Sequence, residues 1–303
     1  MATYNGEKYV TEQLDSLINQ TYKNFKVIIC DDCSTDNTMD ILRKYESNYP
    51  NLFQVYQNEK NSTSAKYNFM DMMIQYKDDY VMLCDQDDVW MPDKIEVTFK
   101  AMKDTEAIYG KDASILVHTD AVVTDSNLNK IDSSLKHMIG APKQINSLKV
   151  LCLQNHVTGC TLMYNKALAA HLLRPIGYFV MHDWLIAIIA NCFGKIIYVD
   201  KSTLFYRQHS DNSMGAKNVN SLEYKINKII HGKYVTQALF EAYAQCKTFL
   251  DMYYSILDDS QKDILETYSK MSTMNKLSRV KLMITKKMFR QGIKRKVSQI
   301  MFG

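Results

Sequence analysis

The chain has 303 residues, of which 46% are hydrophobic and 23% charged, and it contains only 10 glycines and 4 prolines. This composition excludes a disordered or fibrous protein, and the length suffices for one large α/β domain with an appendage. From Lys276 to the end there are nine Lys or Arg and no acidic residue, which leaves 28 basic against 33 acidic residues before it. The mildly acidic body argues against nucleic acid as a partner, whereas the basic tail favours an anionic one.

The first half of the chain alternates helical and strand periodicity. Apolar residues at helical spacing predict helices over Glu7–Gln20, Thr38–Tyr49 and Ser64–Tyr76 and another that begins at Pro92. Short apolar runs predict strands over Phe25–Cys30, Leu52–Tyr56 and Tyr80–Cys84. This alternation predicts an α/β fold with a mostly parallel sheet flanked by helices, in which ligands bind beyond the carboxyl ends of the strands.

The second half is less regular. We predict strands over Ser114–His118, Ala121–Thr124 and Thr161–Tyr164, a helix over His182–Cys192, and a strand pair formed by Lys195–Val199 and Thr203–Tyr206. Beyond Asn220 only helical spacing remains. These patterns predict an α/β domain over residues 1–215 and a helical extension over residues 216–303.

Acidic residues follow two of the predicted strands. Asp85–Asp88 comes after the buried strand Tyr80–Cys84, and carboxylates crowded this closely repel one another unless a cation neutralises them. Mg²⁺ or Mn²⁺ prefers such oxygen ligands and commonly holds substrate phosphates, so we predict a divalent metal site here rather than a solvated turn. The other cluster, Asp31–Asp36, is partly explained by helix capping. Capping does not explain why Asp31 and Asp32 stand side by side at a strand end.

Two further motifs and one cysteine pair complete the set. His182-Asp183-Trp184 opens a helix, and Tyr206-Arg207-Gln208-His209 ends the last strand. Taken alone, each of these motifs is also typical of ordinary structure. The pair Cys30 and Cys33 lacks the second cysteine or histidine pair of a zinc site, and scattered free thiols in apolar runs favour a reducing cytoplasm.

In order and spacing these motifs resemble the family 2 glycosyltransferases of the GT-A fold over residues 1–215. The resemblance is carried by the segments Thr3–Gly6, Asp31–Asp36, Asn61–Asn68, Asp85–Asp88, Thr158–Cys160, His182–Trp184 and Tyr206–His209. The amino-acid sequences of Asp85–Trp90 and His182–Trp184 are similar to those of bacterial rhamnosyltransferases, which build cell-wall, capsular or lipopolysaccharide glycans. Rhamnose from dTDP-rhamnose is favoured through this resemblance alone, and a glycan or lipid-linked acceptor would receive it.

The resemblance also implies roles for individual residues. Thr3, Tyr4, Asp31 or Asp32, Lys66 and Asp85 would bind the nucleotide of a nucleoside-diphosphate sugar. Asp85 and Asp87, with His209, would hold Mn²⁺ or Mg²⁺, and Asp183 would be the general base that takes the acceptor proton. Contacts with the acceptor or the sugar would come from Trp90, Gly159, His182 and Trp184, although Trp90 and Trp184 could equally be core aromatics.

Two departures from the family pattern are expected to matter. The family's first strand normally precedes the segment Thr3–Asn5, so we expect a shortened or missing central strand here. Cys33 stands where the family often has glycine, which makes the C-x-x-C spacing accidental.

The basic tail carries Phe289, Ile293, Val297 and Ile300 at roughly helical spacing among its Lys and Arg residues. Such an amphipathic helix could lie on an anionic membrane, or it could pack on the body with its basic face in solvent. No signal peptide or spanning segment is evident in the sequence. We therefore expect a cytoplasmic protein that is peripheral on the inner face of the cell membrane.

Two alternative functions stay open at this stage. Asp85–Val89 also fits the D-x-D-x-[TV] motif of haloacid-dehalogenase-type phosphotransferases, in which Asp85 would be the nucleophile. That family, however, places this strand first in its sheet. The other alternative is a nucleotide-sugar-binding or scaffold protein without activity.

Overall fold

The computed structural model describes residues 1–144, 147–210 and 232–303, with side chains described from residue 234 onward in the last range. It has the mixed α/β architecture that the sequence predicts, a central sheet flanked by helices. The strands are β1 (Ala2–Thr3), β2 (Val27–Asp31), β3 (Phe53–Gln57), β4 (Tyr80–Met82), β5 (Val89–Trp90), β6 (Ser114–Thr124), β7 (Lys130–Asp132), β8 (Leu162–Asn165) and β9 (Gly194–Arg207). The helices are α1 (Val10–Ile18), α2 (Thr38–Asn48), α3 (Ala65–Gln75), α4 (Lys94–Tyr109), α5 (Leu135–Met138), α6 (Leu148–Leu151), α7 (Lys166–Ala169), α8 (His182–Phe193), α9 (Gly232–Tyr253), α10 (Asp259–Met271), α11 (Lys276–Thr285) and α12 (Ile293–Phe302).

The first three strands form a parallel sheet in the order β1-β2-β3. The strand that we expected to be shortened consists of two residues, Ala2 and Thr3, which pair with Cys30 and Asp31 of β2. Ala2 N also donates to Cys84 O at 3.3 Å. The short strand therefore lies between β2 and the segment that leads from β4 into Asp85–Asp88.

The second sheet is mixed, with the order β4-β8-β6-β9-β5 and β7 beside β6. The strands predicted over Ser114–His118 and Ala121–Thr124 are one strand, β6. The predicted strand pair of the last part of the domain is wrong, because Lys195–Val199 and Thr203–Tyr206 also belong to one strand, β9, that runs parallel to β6. Both strands are irregular around Asp120 and Ser202, where the register shifts. The polar residues at these positions interrupt the apolar pattern, as residues of a turn would.

Helix α8 positions one wall of the site and is buried nearly all round. Its residues from Leu185 to Ala190 are fully inaccessible, as expected for a continuous apolar run without a polar face. It shares a core cluster with α9 and α10 through buried aromatic residues that include Tyr243, Phe249 and Tyr268. The helical extension therefore packs on the body through a common core, whereas the boundary predicted near residue 215 lies outside the described residues.

The basic tail forms two helices rather than one. Between α11 and α12 the chain turns, with Lys287 and Gly292 at positive φ. Phe289 lies in this connection and packs against the core, so the prediction that it shares one helix with Ile293 and Val297 is wrong. Within the described residues, no helix combines the length and apolar character that crossing a membrane requires.

Candidate active site

The segment after β1 is bound on both sides by hydrogen bonds. Tyr4 N donates to Gln86 Oε1 at 2.8 Å, and Gln86 Nε2 donates to Tyr4 O at 2.9 Å. On the other side, Asn5 N donates to Ser34 Oγ at 2.8 Å. A Cβ atom on Gly6 would lie 2.3 Å from Gln86 Oε1, so a larger residue there would displace the Gln86 side chain that binds Tyr4. The Tyr4 side chain remains 49% exposed, as a residue that stacks on a base would need to be.

Asp31 and Asp32 are buried and engaged within the protein. The Asp31 carboxylate accepts from Thr3 Oγ1 at 2.9 Å and from the N–H and hydroxyl of Ser34 at 2.8 and 2.6 Å. The Asp32 carboxylate accepts from Asn58 Nδ2 at 2.8 Å and from the N–H and hydroxyl of Ser62. In this structure both acids therefore shape the loops around the expected nucleotide site, and direct contact with the base or ribose remains a prediction.

Cys33 has a backbone φ of 64°, in the left-handed region that favours glycine. This conformation gives a physical reason for glycine at the corresponding position of the family. The Cys33 thiol donates to Asn58 O at 3.2 Å and the Cys30 thiol to Asn58 Oδ1 at 3.1 Å. All seven cysteines are free.

Asp85, Asp88 and Cys160 form the cluster best suited to a metal. Their candidate ligand atoms all lie within 4.8 Å of one another. Burial and the neighbouring acids raise the pKa of Asp85 to about 7 and the pKa of Asp88 well above its usual value. Asp88 Oδ2 is buried without a hydrogen-bond partner in the described structure. Such a group calls for a cation or a proton.

Asp87 lies beside His209 instead. His209 Nε2 is 2.8 Å from Asp87 Oδ2, which brings together two of the three residues predicted to hold the metal. Arg207, in the same strand end, is buried and donates through Nε to Asp87 O at 2.8 Å, while its backbone N–H donates to Asp88 Oδ1 at 3.2 Å. Its guanidinium also forms an ion pair with Glu12. Arg207 therefore holds the Asp85–Asp88 loop against the end of β9.

Asp183 lies in the first turn of α8 and faces the segment before β8. Its carboxylate accepts from Gly159 N at 3.0 Å and from Asn155 Nδ2 at 3.2 Å. Burial raises the pKa of Asp183 to about 7, and its charge contributes to the raised pKa of Asp85. The predicted base and the acidic loop are therefore close enough to interact electrostatically.

The residues predicted to contact the acceptor or the sugar differ in their accessibility. His182 is buried, stacks on Phe69 with ring centroids 4.4 Å apart, and has a pKa lowered by burial to about 3. A Cβ atom on Gly159 would lie 2.9 Å from His182 Nε2, so Gly159 and His182 position each other. Trp184 donates through Nε1 to Leu151 O at 2.6 Å, which ties its indole to the core.

Trp90 is a core residue, and its predicted contact with a sugar is not supported. It is only 5% exposed and packs in the core cluster around α1 and β2. The Lys94 ammonium lies 4.7 Å from the centre of its ring. The alternative interpretation of Trp90 as a core aromatic fits the structure.

Lys66 lies at the start of α3 and faces the segment that leads to Asp183. Its Nζ donates to Phe179 O at 2.8 Å and lies about 5 Å from the ring centres of Tyr67, Tyr178 and Phe179. Burial lowers its pKa. In this structure Lys66 connects the two sides of the site, and its contact with a nucleotide remains a prediction.

Sequence reasoning gave no role to three residues that organise the site. In the sequence, Gln86 is an amide between two acids, Arg207 is equally compatible with a surface ion pair, and Cys160 ends the segment Thr158–Cys160. Each acts through contacts with residues that are at least 70 positions away in the chain. The signal available in the sequence is that all three residues lie inside motifs that carry the family resemblance.

Comparisons with known proteins find similar sequences among glycosyltransferases. Residues 1–171 match the family model described as Glycosyl transferase family 2. The dTDP-rhamnosyl transferase RfbG of Shigella flexneri is 28% identical over 246 residues, which cover 77% of this chain and 80% of that protein. The putative teichuronic acid biosynthesis glycosyltransferase TuaG of Bacillus subtilis is 27% identical over 174 residues, 57% of this chain and 63% of its own length.

Solved structures show the same fold. The S. aureus TarS fragment 1–349 in complex with UDP-GlcNAc superposes with a TM-score of 0.53 at 20% identity, covering 99% of this chain and 77% of that one. GalNAc-T7 with UDP, GalNAc and Mn²⁺ has a TM-score of 0.55 at 12% identity and covers 95% of this chain and 53% of that one. The GT-A fold expected from the motifs is therefore confirmed.

Proposed function

The chain belongs to glycosyl transferase family 2, and from this membership we propose a metal-dependent, inverting transfer in bacterial surface polysaccharide synthesis. The sugar passes from a nucleoside diphosphate to a hydroxyl of a glycan or lipid-linked acceptor. One arrangement supports this above all: the Asp85–Asp88 loop, His209 and Asp183 meet at one edge of the sheet. Family membership also excludes the haloacid-dehalogenase alternative, as does the position of β4 after three other strands.

The donor's nucleotide binds beyond β1 and β2. The exposed Tyr4 ring is available to stack on the base, with Thr3, Asp31 and Asp32 behind it in a fixed loop. Asp85 comes directly before Gln86, and the Gln86 side chain is hydrogen-bonded to the backbone of Tyr4. A base, a ribose and a diphosphate would therefore be held in sequence from Tyr4 toward Asp85.

The residues of the acidic loop fit a divalent metal. The buried Asp88 oxygen without a partner and the raised pKa values of Asp85 and Asp88 indicate a site that lacks positive charge. Asp85 and Asp87 would hold Mn²⁺ or Mg²⁺ together with His209, and the candidate ligand atoms of Asp88 and Cys160 lie within 4.8 Å of that of Asp85. When bound, the metal supplies Lewis-acid stabilisation of the leaving diphosphate.

Asp183 is the general base that takes the proton from the acceptor hydroxyl. Two N–H donors, from Gly159 and Asn155, orient its carboxylate. A pKa of about 7 leaves the group both deprotonated and basic enough near neutral pH to accept a proton in the transition state. His182, buried and neutral next to it, keeps the first turn of α8 against Gly159.

Rhamnose from dTDP-rhamnose is the sugar that we propose for the donor. It is favoured by the match to the S. flexneri dTDP-rhamnosyl transferase over most of both chains and by the sequence of Asp85–Trp90, which resembles that of bacterial rhamnosyltransferases. We also propose that the enzyme works at the cytoplasmic surface of the membrane, where its basic tail would meet anionic lipid.

Thermal unfolding of the full chain with UDP, dTDP, GDP or CDP, each with Mn²⁺, Mg²⁺ or EDTA, tests the proposal. A ligand at 100 times its dissociation constant should stabilise the protein by about 2.7 kcal/mol. We expect a metal-dependent shift, largest with dTDP, that Asp87→Ala abolishes. Asp104→Ala, which removes an exposed carboxylate paired with Lys100, is the control and should leave the shift unchanged.

Release of nucleoside diphosphate from the matching donor separates an enzyme from an inactive binding protein. A metal-dependent shift without any release by the wild-type chain would favour the inactive alternative. No shift with any of the four nucleotides would contradict the proposed donor site.

A further inference from the structure

Cys160 lies beside the acidic loop and has no role in the proposed transfer. It belongs to the turn Gly159–Thr161 that leads into β8, and it is 1% exposed. The turn is fixed at its start, because Gly159 N donates to the Asp183 carboxylate at 3.0 Å. The backbone that carries the Cys160 thiol is therefore held by the same contact that orients the proposed base.

The Cys160 thiol and two carboxylates form a compact group of three candidate metal ligands. One oxygen of Asp85, one oxygen of Asp88 and Cys160 Sγ all lie within 4.8 Å of one another. Small side-chain rotations bring atoms at such separations to about 2.0 to 2.3 Å from a single ion, the usual lengths of zinc–oxygen and zinc–sulfur bonds. Asp87 faces another partner, since its Oδ2 is 2.8 Å from His209 Nε2. The acidic loop therefore directs its carboxylates to two different places.

The free oxygen of Asp88 supports a cation within this group. Asp88 is 1% exposed, and its Oδ2 has no hydrogen-bond partner among the residues that the structure describes. Asp88 Oδ1 accepts the backbone N–H of Arg207 at 3.2 Å. The buried Lys94 ammonium interacts electrostatically with Asp88 and Cys160, but it donates its hydrogen bond to Thr203 Oγ1 at 3.3 Å. A buried carboxylate oxygen without a partner is unusual, and a bound cation would satisfy it.

The sulfur atom decides which cation suits this group. Thiolate is a soft ligand that favours Zn²⁺, whereas oxygen ligands suit Mg²⁺ and Mn²⁺. Zn²⁺ accepts sulfur and oxygen ligands in tetrahedral geometry, and three protein ligands leave its fourth position open for water. When the ion binds, the S–H bond of Cys160 breaks, a zinc–sulfur bond forms and the proton passes to solvent. The three ligands therefore match Zn²⁺ better than either ion proposed for the transfer.

We propose that Asp85, Asp88 and Cys160 bind Zn²⁺ and that this ion inhibits the enzyme. Asp85 belongs to both metal sites, so Zn²⁺ bound in this group removes a ligand from the catalytic Mn²⁺ or Mg²⁺. The inhibition rests on the proposed function, which assigns Asp85 to the catalytic metal, whereas the zinc site itself does not. Beyond that function, Cys160 and Asp88 become ligands of a second kind of ion, and transfer becomes sensitive to it.

Titration of the full chain with Cd²⁺, a substitute for Zn²⁺ whose bond to thiolate absorbs in the ultraviolet, tests the site directly. Cys160→Ser removes the sulfur atom and should abolish this absorption. The matched control is Cys33→Ser, which removes a more accessible thiol outside the group and should leave the absorption unchanged. In calorimetric titrations, Cys160→Ser should bind Zn²⁺ at least about a hundredfold more weakly than the wild type, because even partners outside the ligand shell contribute about 10- to 100-fold.

Competition between the ions tests the inhibition. Electron paramagnetic resonance of Mn²⁺ should show that added Zn²⁺ displaces Mn²⁺ from the complex of the wild-type chain with dTDP. Cys160→Ser should require at least about a hundredfold more Zn²⁺ for the same displacement. Equal displacement in the two proteins would place Zn²⁺ at Asp87 and His209 and overturn the proposal. Cadmium–thiolate absorption that persists in Cys160→Ser, or that disappears in Cys33→Ser, would also overturn it.

Two further variants keep the test decisive. Asp88→Asn should weaken Zn²⁺ binding at least about tenfold, and it replaces Cys160→Ser if that variant is unstable. His209→Gln should lose the nucleotide-dependent thermal shift in Mn²⁺ and keep the cadmium–thiolate absorption, whereas loss of both would indicate one shared site and overturn the separate one.

The same measurements distinguish a failed zinc site from a failed premise. A wild-type chain that binds Cd²⁺ through Cys160 but shows no metal-dependent shift with any nucleotide would refute the proposed function and leave the zinc site standing. A chain that shows the nucleotide shift but no cadmium–thiolate absorption would refute the zinc site alone.

Discussion

At the scale of single residues, Asp183 combines burial with two hydrogen bonds that hold its carboxylate in place. Since the base must be deprotonated to act, and its pKa lies near 7, the rate should rise with pH through about 7 and level off above it. We expect kcat/KM to increase about tenfold per pH unit below this midpoint. Initial rates of nucleoside diphosphate release, measured with Mn²⁺ from about pH 5 to pH 9, check this.

Asp183→Asn is the companion variant for the pH profile. It should bind donor nucleotide with the same thermal shift as the wild type while release of the diphosphate falls by a factor of at least about 100. A flat profile, or full activity in Asp183→Asn, would refute the assignment of the base.

Cys33 offers a test of backbone strain at the same scale. A residue other than glycine at a φ of 64° costs about 1 kcal/mol, so the free energy of unfolding of Cys33→Gly should exceed that of Cys33→Ala by about that amount. Cys33→Ala loses the same thiol contact with Asn58 but keeps the strain, and it is the control. Urea unfolding of the three proteins checks the order, and a Cys33→Gly variant no more stable than Cys33→Ala would refute it.

The acids of the site could be found from the sequence, but the residues that each of them contacts could not. Asp31 and Asp32 stand out by their position at a strand end, yet their partners Ser34, Asn58 and Ser62 come from loops whose geometry no periodicity specifies. The same holds for Asp88. Its burial depends on β9 arriving beside it from more than 100 residues downstream.

At the scale of elements, the helices and the first strands follow from periodicity, because each is a local pattern with a single buried face. The continuity of β6 and β9 does not follow. Their polar interruptions at Asp120 and Ser202 are register shifts inside a pair of strands, and a local pattern cannot distinguish such a shift from a turn. The inward position of Phe289 likewise depends on the turn between α11 and α12.

The contact between Gly159 and α8 predicts how this arrangement controls catalysis. An alanine Cβ at position 159 would lie 2.9 Å from His182 Nε2 and 3.6 Å from Asp183 Cβ. Because His182 is buried against Phe69, the first turn of α8 must shift. Gly159→Ala should therefore lower kcat by a factor of about 10 to 100 with little change in the thermal shift that donor nucleotide produces.

A double-mutant cycle identifies the cause of the loss. His182→Ala gives the new methyl group room, so the effects of Gly159→Ala and His182→Ala on kcat should be non-additive. The kcat of the double variant should fall by less than the product of the two single factors. Simple additivity would mean that Gly159 acts through something other than His182.

At the scale of the whole molecule, the buried carboxylates of the site repel one another when they are ionised, and a bound metal would reduce this repulsion. Asp85, Asp88 and Asp183 all have pKa values raised by burial. An unfolded chain loses these protons near pH 4, whereas the native protein keeps those of Asp85 and Asp183 to about pH 7 and that of Asp88 to well above its usual range. The native state therefore binds more protons in this range, and these groups lower the free energy of unfolding as the pH rises.

Buried histidines act in the opposite direction but at lower pH. The pKa values of His118, His156 and His182 are lowered by burial, so their effect on stability ends near their usual pKa of 6.5. Above about pH 6.5 these histidines therefore no longer contribute to the change of stability with pH. The difference between wild type and a single variant at each pH removes the remaining groups that titrate in both proteins.

Measured in EDTA, the free energy of unfolding of Asp88→Asn minus that of the wild type should grow as the pH rises above about 4, the usual range of a carboxyl group, because the variant has one carboxylate fewer to ionise in a buried site. Saturating Mn²⁺ should reduce this difference, since a bound cation stabilises the ionised carboxylates of the native state only. Asp104→Asn, in an exposed pair with Lys100, should show no such dependence. Urea unfolding at several pH values gives these differences. The difference for Asp88→Asn could instead be constant with pH, or unaffected by Mn²⁺ and Mg²⁺. Groups of the protein would then neutralise the carboxylates of the acidic loop, and the loop would not need a metal.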